Sequence, residues 1–316
     1  MKAKCDEKRF IELITTIGPA RTSEQLDCSV RSVYRRRRKI EERLGVKLPS
    51  PQEKSDLSEI CIPTEYPQRI QATIENGVVL VGSDSHYWPD LITPAHKGFV
   101  VLCKKLKPRI VIKNGDEFDG ASISRHPKIG WEDVPSVHDE LETVRKRLNE
   151  IKRAAPDADF MWPLGNHDAR FETRLATVAS EFEKVRGVHL QDHFPDFAPC
   201  WSVWINDEVI IKHRYKGGEH AAFNNVVKSG KTIVTGHVHR LLVRPFHDYN
   251  GVRYGVECGT LADNFGPQFV NYTEDNPTDW QSGFAVLTFK DGKLLPPELA
   301  HVYGDKIAFR GELIDV

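Results

Sequence analysis

Apolar positions recur at helical spacing over the first fifty residues. Beyond residue 70 they give way to short apolar runs separated by polar turns. Phe10, Ile11, Ile14 and Ile17 mark one face of a helix that Gly18-Pro19 is expected to stop. A short segment, Thr22 to Leu26, and a turn through Asp27-Cys28-Ser29 come next. The following helix is expected from Val30 to Leu44, with Gly45 as its C-cap. Its apolar face would hold Val30, Val33, Ile40 and Leu44, leaving Ser29, Arg31, Ser32, Arg35 and Arg36 outside. Helix, short helix, tight turn and basic helix make the outline of a helix-turn-helix. Residues 47–70 hold Pro49, Pro51, Pro63 and Pro67 without periodicity and read as a linker.

From Ile70 onward strands and helices alternate. Strands are expected at Val78 to Val81, Arg109 to Lys113, Asp159 to Leu164, Val209 to Lys212, Thr232 to Thr235, Val252 to Glu257 and Phe284 to Phe289. Helices are expected at Pro94 to Leu106 and Ser136 to Ala155. The chain thus divides into a basic helical domain over 1–46, a linker over 47–70 and an α/β domain over 71–316.

Composition narrows this picture. With 316 residues, 40% hydrophobic and 28% charged, the chain has the balance of a globular protein, large enough for one catalytic domain and a small accessory one. No apolar run reaches the length of a membrane span, and MKAKCDEKRF carries no apolar segment of a signal peptide. Cys5, Cys28, Cys61, Cys103, Cys200 and Cys258 are scattered without a C-x-x-C pair. That pattern points to reduced thiols in a cytoplasmic protein and excludes a thiolate zinc site. Charge is unevenly placed. The first fifty residues hold 13 Lys and Arg against 7 Asp and Glu, so the other 266 residues account for −7 within a total of −1. A basic head on a mildly acidic body suits an anionic partner. Arg35-Arg36-Arg37-Arg38-Lys39 reads either as a phosphate-neutralising stretch on a groove-reading helix or as a solvated or protein-docking helical face.

Polar motifs stand at strand ends, where α/β folds gather their chemistry. The first strand is followed by Asp84-Ser85-His86 and the second by Asn114-Gly115-Asp116-Glu117-Phe118-Asp119. The third is followed by Gly165-Asn166-His167-Asp168, the fourth by His213, and Thr232 to Thr235 by Gly236-His237-Val238-His239. Five of the 13 histidines fall inside these motifs. Each motif alone is an ordinary surface or core feature; together they fit two divalent cations held by oxygen and nitrogen donors from several loops. In D-x-H and H-x-H, side chains two apart on an extended segment would reach one site. The glycines before Asp116, Asn166 and His237 permit tight turns and close backbone approach.

In order and spacing these motifs match the D-x-H, G-D-x-x-D, G-N-H-[DE], H and G-H-x-H series, and residues 78–290 resemble the calcineurin-like metallophosphoesterase superfamily. The resemblance implies a four-layer αββα sandwich, two mixed sheets face to face with helices outside. It implies Asp84, His86 and His239 as ligands of a first metal, Asn166, His213 and His237 as ligands of a second, and Asp116 as the bridge. His167 would face the substrate, stabilise charge and protonate the leaving oxygen, oriented by Asp119. Asp119 has a structural alternative as the N-cap of the segment after it. The ligand types suit Mn²⁺ first, with Fe, Zn²⁺ or Ni²⁺ as alternatives.

Where many members carry Arg after the second Asp of G-D-x-x-D, this chain has Gly120. A substrate-phosphate contact is then expected from Arg125, His126 or Arg170, although Arg170 reads equally as a helix-surface residue paired with Glu172 or Asp168. Asp168, in place of the commoner Glu, is expected to support a neighbouring loop. Trp201 and Trp204 are expected in the core, His220 is set aside as a ligand in favour of His213, and residues 263–281 read as a long surface loop near the site.

The fold alone does not select the ester. The basic head favours nucleic acid, DNA first, and with it a metal-dependent DNA phosphodiesterase or nuclease tethered by a helix-turn-helix, without a membrane and with a homodimer in keeping with that motif. Such a pairing resembles architectures of phage and prophage proteins. Two other readings stand beside it: a phosphatase or phosphodiesterase acting on small nucleotides or phosphoproteins, and a DNA-binding regulator with a non-catalytic phosphoesterase domain.

Overall fold

The computed structural model describes residues 5–48 and 68–316, which form two compact units. The expected linker lies largely outside the described residues. Its last two positions, Arg69 and Ile70, are instead the start of a strand.

The first unit is three helices: α1 (Glu7–Thr16), α2 (Gly18–Gln25) and α3 (Val30–Leu44). Asp6 caps α1 by accepting from Arg9 N at 2.7 Å. Gly18-Pro19 ends the α1 pattern as expected but also opens α2, because proline fits the first helical turn, where its missing N–H costs nothing. Ser29 caps α3 by accepting from Ser32 N, and the two hydroxyls lie 2.9 Å apart. Gly45 closes α3 in the left-handed conformation expected of it (φ 66°). Phe10, Ile14, Val33, Ile40 and Leu48 form the core of this unit, whereas Val30 and Leu44, expected inside, are exposed.

Arg36 departs from expectation as well. Its guanidinium lies 4.5 Å from the Phe10 ring centroid and donates to Cys5 O at 2.8 Å, so it belongs to the unit's packing rather than to its free surface. Arg37 is held by Glu41 at 2.8 Å and by Leu48 O. Arg31, Arg35, Arg38 and Lys39 remain exposed.

The second unit runs β1 (Arg69–Ala72), β2 (Gly77–Gly82), α4 (Pro94–Leu106), β3 (Ile110–Lys113), α5 (Val137–Ala154), β4 (Asp159–Pro163), α6 (Asp168–Val178) and α7 (Leu190–His193). It continues through β5 (Ala198–Cys200), β6 (Ser202–Ile205), β7 (Val209–Ile211), α8 (Ala221–Ser229), β8 (Thr232–Thr235), β9 (Leu241–Asp248) and β10 (Gly251–Cys258). It closes with α9 (Val270–Thr273), β11 (Gly283–Lys290), β12 (Lys293–Leu294), β13 (Glu298–Tyr303), β14 (Lys306–Phe309) and β15 (Glu312–Asp315).

One sheet has the order β1-β6-β7-β8-β10-β9. The other is β15-β14-β13-β11-β2-β3-β4-β5, with β12 against β11. Residues two apart on a strand face the same side. Val79, Val81, Ile110 and Ile112 accordingly meet Val203, Ile205, Ile211 and Val234 between the sheets. Their alternates Leu80 and Val111 join Phe99 and Leu102 of α4 and Val144, Leu148 and Ile151 of α5 on the outer side. Across the other sheet Ile210 and Ile233 pack on Val226 of α8. Helix, sheet, sheet, helix is the four-layer α/β sandwich implied by the motif series. Among the described residues no helix is long and apolar enough to cross a membrane.

Candidate metal centre

Three strand ends of one sheet and two of the other carry the motifs. β2, β3 and β4 are parallel neighbours, as are β7 and β8, so their following loops emerge together. The first two loops remain zipped beyond the strands: Asp84 N donates to Gly115 O at 2.8 Å, His86 N to Asp116 O at 2.9 Å and Tyr87 N to Glu117 O at 3.1 Å. His167 N donates to Asp116 Oδ1 at 2.8 Å, and His237 N to Asp84 Oδ2 at 2.9 Å, tying the later motifs to the earlier ones.

The loops are not extended as expected. Asp84, His86, Asp116, His237 and His239 take positive φ of 52°, 38°, 55°, 71° and 56°. Non-glycine residues seldom adopt this region, and such strain gathers where neighbours fix a functional geometry. Close approach does require glycine at all three expected places: a Cβ on Gly115 would collide with His213 and the Gly165 backbone, one on Gly165 with Asp116, and one on Gly236 with Ser83 and Asp84.

Asp84, His86 and His239 each offer a ligand atom within 4.8 Å of the others, and so do Asp116, His213 and His237. A third group, His86, Asp116 and His167, links the two. The rings are oriented from behind. His213 Nδ1 donates to Asn114 O at 2.8 Å, so Nε2 faces Asp116 Oδ2 at 3.1 Å. His86 Nδ1 lies 2.7 Å from Asp119 Oδ1, leaving Nε2 buried without a hydrogen-bond partner. Asn166 Oδ1 is also buried and accepts no hydrogen bond. Unsatisfied buried nitrogen and oxygen atoms beside two carboxylates, with no thiolate, fit a pair of hard to borderline divalent cations. Outer hydrogen bonds of this kind fix the tautomer and the angle of metal-binding histidines.

Electrostatics point the same way. Burial opposes ionisation of Asp84, but His213 and His239 outweigh it and bring the carboxyl to about 2. Asp116, equally buried, is carried well below the carboxylate range by His213 and His167. Burial would keep His213 neutral, yet Asp116 and Asp84 push it up to about 10. The carboxylates attract positive charge strongly enough to overcome their burial.

No protein-family model matches the chain. It is similar to the gene 54 proteins of two Mycobacterium phages. It is 28% identical to the L5 protein over 236 residues, covering 66% of this chain and 88% of that protein. It is 26% identical to the D29 protein over 246 residues, covering 70% and 92% respectively. Among solved structures it is similar to a zinc-complexed Vps29 of Entamoeba histolytica (TM-score 0.41, 14% identity, 75% of this chain and 98% of that one). It is also similar to an archaeal phosphodiesterase (TM-score 0.37, 16% identity, 70% and 99%). A third likeness is to Yfce, a phosphoesterase from E. coli (TM-score 0.32, 15% identity, 70% and 97%).

Around the clusters the remaining expected residues fall into place unevenly. Asp119 lies 2.7 Å from His86 Nδ1 and 3.0 Å from His167 Nδ1, so it serves both rings. It is not an N-cap: the Gly120 and Ala121 N–H groups donate instead to Glu140, at 2.6 and 3.2 Å. Burial lowers the proton affinity of His167, but Asp116 and Asp119 raise it overall. Arg170 is no bystander on a helix surface. It donates to Asp119 O at 2.9 Å and stands 3.1 Å from His167 Nε2. Arg125 and His126 are exposed, without a side-chain contact to the clusters. Asp168 supports the second and third motifs by accepting from N–H groups of both. His220 is exposed at the start of α8 and belongs to none of the three groups. Trp201 is half exposed rather than in the core, and Trp204, half-buried, carries the Arg69 guanidinium 4.1 Å from its ring centroid.

The loop over 263–281 does reach the site. Phe269 lies 5.1 Å from His86 and 5.4 Å from His239 between ring centroids, and Trp280 lies 4.4 Å from His239. Arg240 pins this loop through Asp279 at 3.0 Å while held by Glu257 at 2.8 Å. Sequence reasoning missed Phe269, Trp280, Arg240 and Glu140. Only Arg240, adjoining the last histidine motif, carried a signal by position.

Proposed function

We propose that the chain is a two-metal phosphoesterase that hydrolyses phosphodiester bonds, with DNA as its first substrate class and the basic helical head as tether. One observation carries this reading: two ligand groups, Asp84-His86-His239 and Asp116-His213-His237, adjoin through a shared His86-Asp116-His167 group, with buried ligand atoms left unsatisfied. Asp84, His86 and His239 would hold one cation, Asn166, His213 and His237 the other, and Asp116 both; Mn²⁺ suits this oxygen and nitrogen set first, with Fe, Zn²⁺ and Ni²⁺ as alternatives. When bound, such a pair supplies charge neutralisation at the phosphoryl group and a nucleophile at neutral pH.

The chain's own residues do the rest. His167 and Arg170 keep 20% and 21% of their side-chain surfaces open, against 2% for His86 and Asp116, which supports their facing the substrate. Arg170 would hold a phosphoryl oxygen, and its fork geometry suits that task. His167 would give its proton to the leaving oxygen, and Asp119 keeps the ring in place. The head contributes Arg31, Arg35, Arg38 and Lys39 on one exposed basic helix, which supports binding to a polyanion. Ser29 and Ser32 would enter only if their mutual cap opened to a phosphate or base.

The test uses metal-stripped full-length protein reloaded with Mn²⁺ and given single-stranded DNA, duplex DNA, RNA and a chromogenic phosphodiester, with His167→Ala beside it. Cleavage of a polynucleotide that disappears in the variant supports the nuclease. Cleavage of the small ester alone moves the substrate to small nucleotides or phosphoproteins, and no turnover in any divalent metal leaves a non-catalytic regulator.

A further inference from the structure

The aromatic residues of the 263–281 loop form a graded series leading away from the metal centre. Trp280 lies 4.4 Å from His239 and 5.1 Å from Phe269 between ring centroids, and is half-buried. Tyr272 lies beyond it, its ring nearly parallel to that of Trp280 (14°, centroids 6.4 Å apart) and 74% exposed. Packing explains Phe269, which is 5% exposed, but a tyrosine left open in line with a tryptophan gains little from folding. The platform is also braced. Asn271, next to Tyr272, donates to Glu132 Oε1 at 2.9 Å, joining this loop to the segment that bears Trp131. Gln268 donates to His86 O at 3.4 Å, and Arg240 holds Asp279 beside Trp280. A loop tied at several points, with its outer aromatic face open, is preorganised for a flat ring.

We propose that Tyr272 and Trp280 form a stacking subsite for a nucleobase of the phosphodiester held at the metal centre; this rests on the phosphodiesterase reading above. Stacking tolerates any base, because every base presents a π-face, so the subsite would select nucleotidic esters without reading their sequence.

The experiment compares a deoxydinucleotide with the same diester lacking its bases, using full-length protein loaded with Mn²⁺. The ratio of kcat/KM between the two substrates should fall about tenfold in Tyr272→Ala and be kept by Tyr272→Phe, since one stacked base contributes on that order. An unchanged ratio in Tyr272→Ala, or an equal loss in Tyr272→Phe, overturns the subsite. Binding is read without turnover by tryptophan fluorescence on Mn²⁺-loaded His167→Ala. Quenching by the dinucleotide that the abasic diester does not reproduce supports stacking, and equal or absent quenching overturns it. If neither diester is hydrolysed in any metal, the hydrolase reading falls while the fluorescence arm still decides the subsite.

Discussion

Asp168 accepts the backbone N–H of Asp116 at 2.8 Å, so the residue shared between two ligand groups is held in place by a carboxylate from the start of α6. The same side chain accepts from Glu117 N at 3.0 Å, Phe118 N at 3.1 Å, Gly165 N at 2.8 Å and the Trp162 indole at 2.9 Å. Five donors on one buried carboxylate lock the second motif to the third. Asp168→Asn turns one acceptor oxygen into a donor facing N–H groups, so Asp116 should lose its fixed position. Metal affinity is expected to weaken about 10- to 100-fold, the usual effect of removing such outer support. Calorimetric Mn²⁺ titration reads it directly, and an affinity equal to that of the parent protein would remove Asp168 from this role.

His167 and Asp116 should separate catalysis from metal binding. His167→Ala is expected to keep its metal content and to lose on the order of 100-fold or more in rate, the scale of general acid catalysis. Asp116→Ala should lose metal together with activity. Elemental analysis of both variants beside a turnover assay makes the comparison. Retention of both ions by Asp116→Ala would take that carboxylate out of the bridging position.

The strand-end motifs are legible in the sequence because β2, β3, β7 and β8 are short apolar runs, and the polar residue ending each stands out against them. The residue types that gather at the site are therefore visible in one dimension, while their roles are what the resemblance of the motif series implies. The local conformation of the site is not visible there, since nothing about Asp84 or His239 as residue types foretells positive φ. Arg36 reads as a surface residue in the sequence because its partners, Phe10 and the Cys5 carbonyl, lie far back along the chain. The strands β9 and β13 to β15 interrupt their apolar residues with charged or polar ones, which leaves no apolar run longer than three residues to read. Phe269 and Trp280 sit in a stretch without periodicity, and only the fold brings them beside His239.

Glu140 gives the stability of the second unit a pH dependence of predictable sign. Burial, reinforced by the charge of Asp119, pushes its carboxyl from the usual 4.5 up to about 8. Between those values the folded chain holds a proton that the unfolded chain has released. This contribution is therefore complete below about pH 4.5 and is lost as pH rises through 8. Glu140→Gln keeps an oxygen for the Gly120 N–H and removes the titration. In metal-free protein the fall in Tm between pH 5 and pH 8.5, set by ordinary buffers, should be smaller in the variant by the equivalent of a few kcal/mol at most. An identical fall in both proteins would show that Glu140 does not titrate in that window.

The basic helix of the head should divide by residue, because its arginines are not equivalent. Arg35 and Arg38 are exposed, while Arg36 is spent on Phe10 and Cys5 O. If the helix neutralises phosphates, replacing Arg35 and Arg38 by Gln should weaken polynucleotide binding at every sequence. It should also reduce the slope of log K against log salt by about 0.9 for each phosphate left without its cation on duplex DNA, or about 0.7 on single strands. A small chromogenic phosphodiester, which meets only the metal centre, should be cleaved at the parent rate. Arg36→Ala should act differently: it removes a cation–π interaction and a charged hydrogen bond, together about 1 to 3 kcal/mol. Its first effect is then on the melting of the head and only through that on binding. Salt-dependent binding isotherms and thermal melts on the same two variants decide the matter. A full salt slope in the Arg35/Arg38 double variant would assign the basic helix to something other than a phosphate backbone.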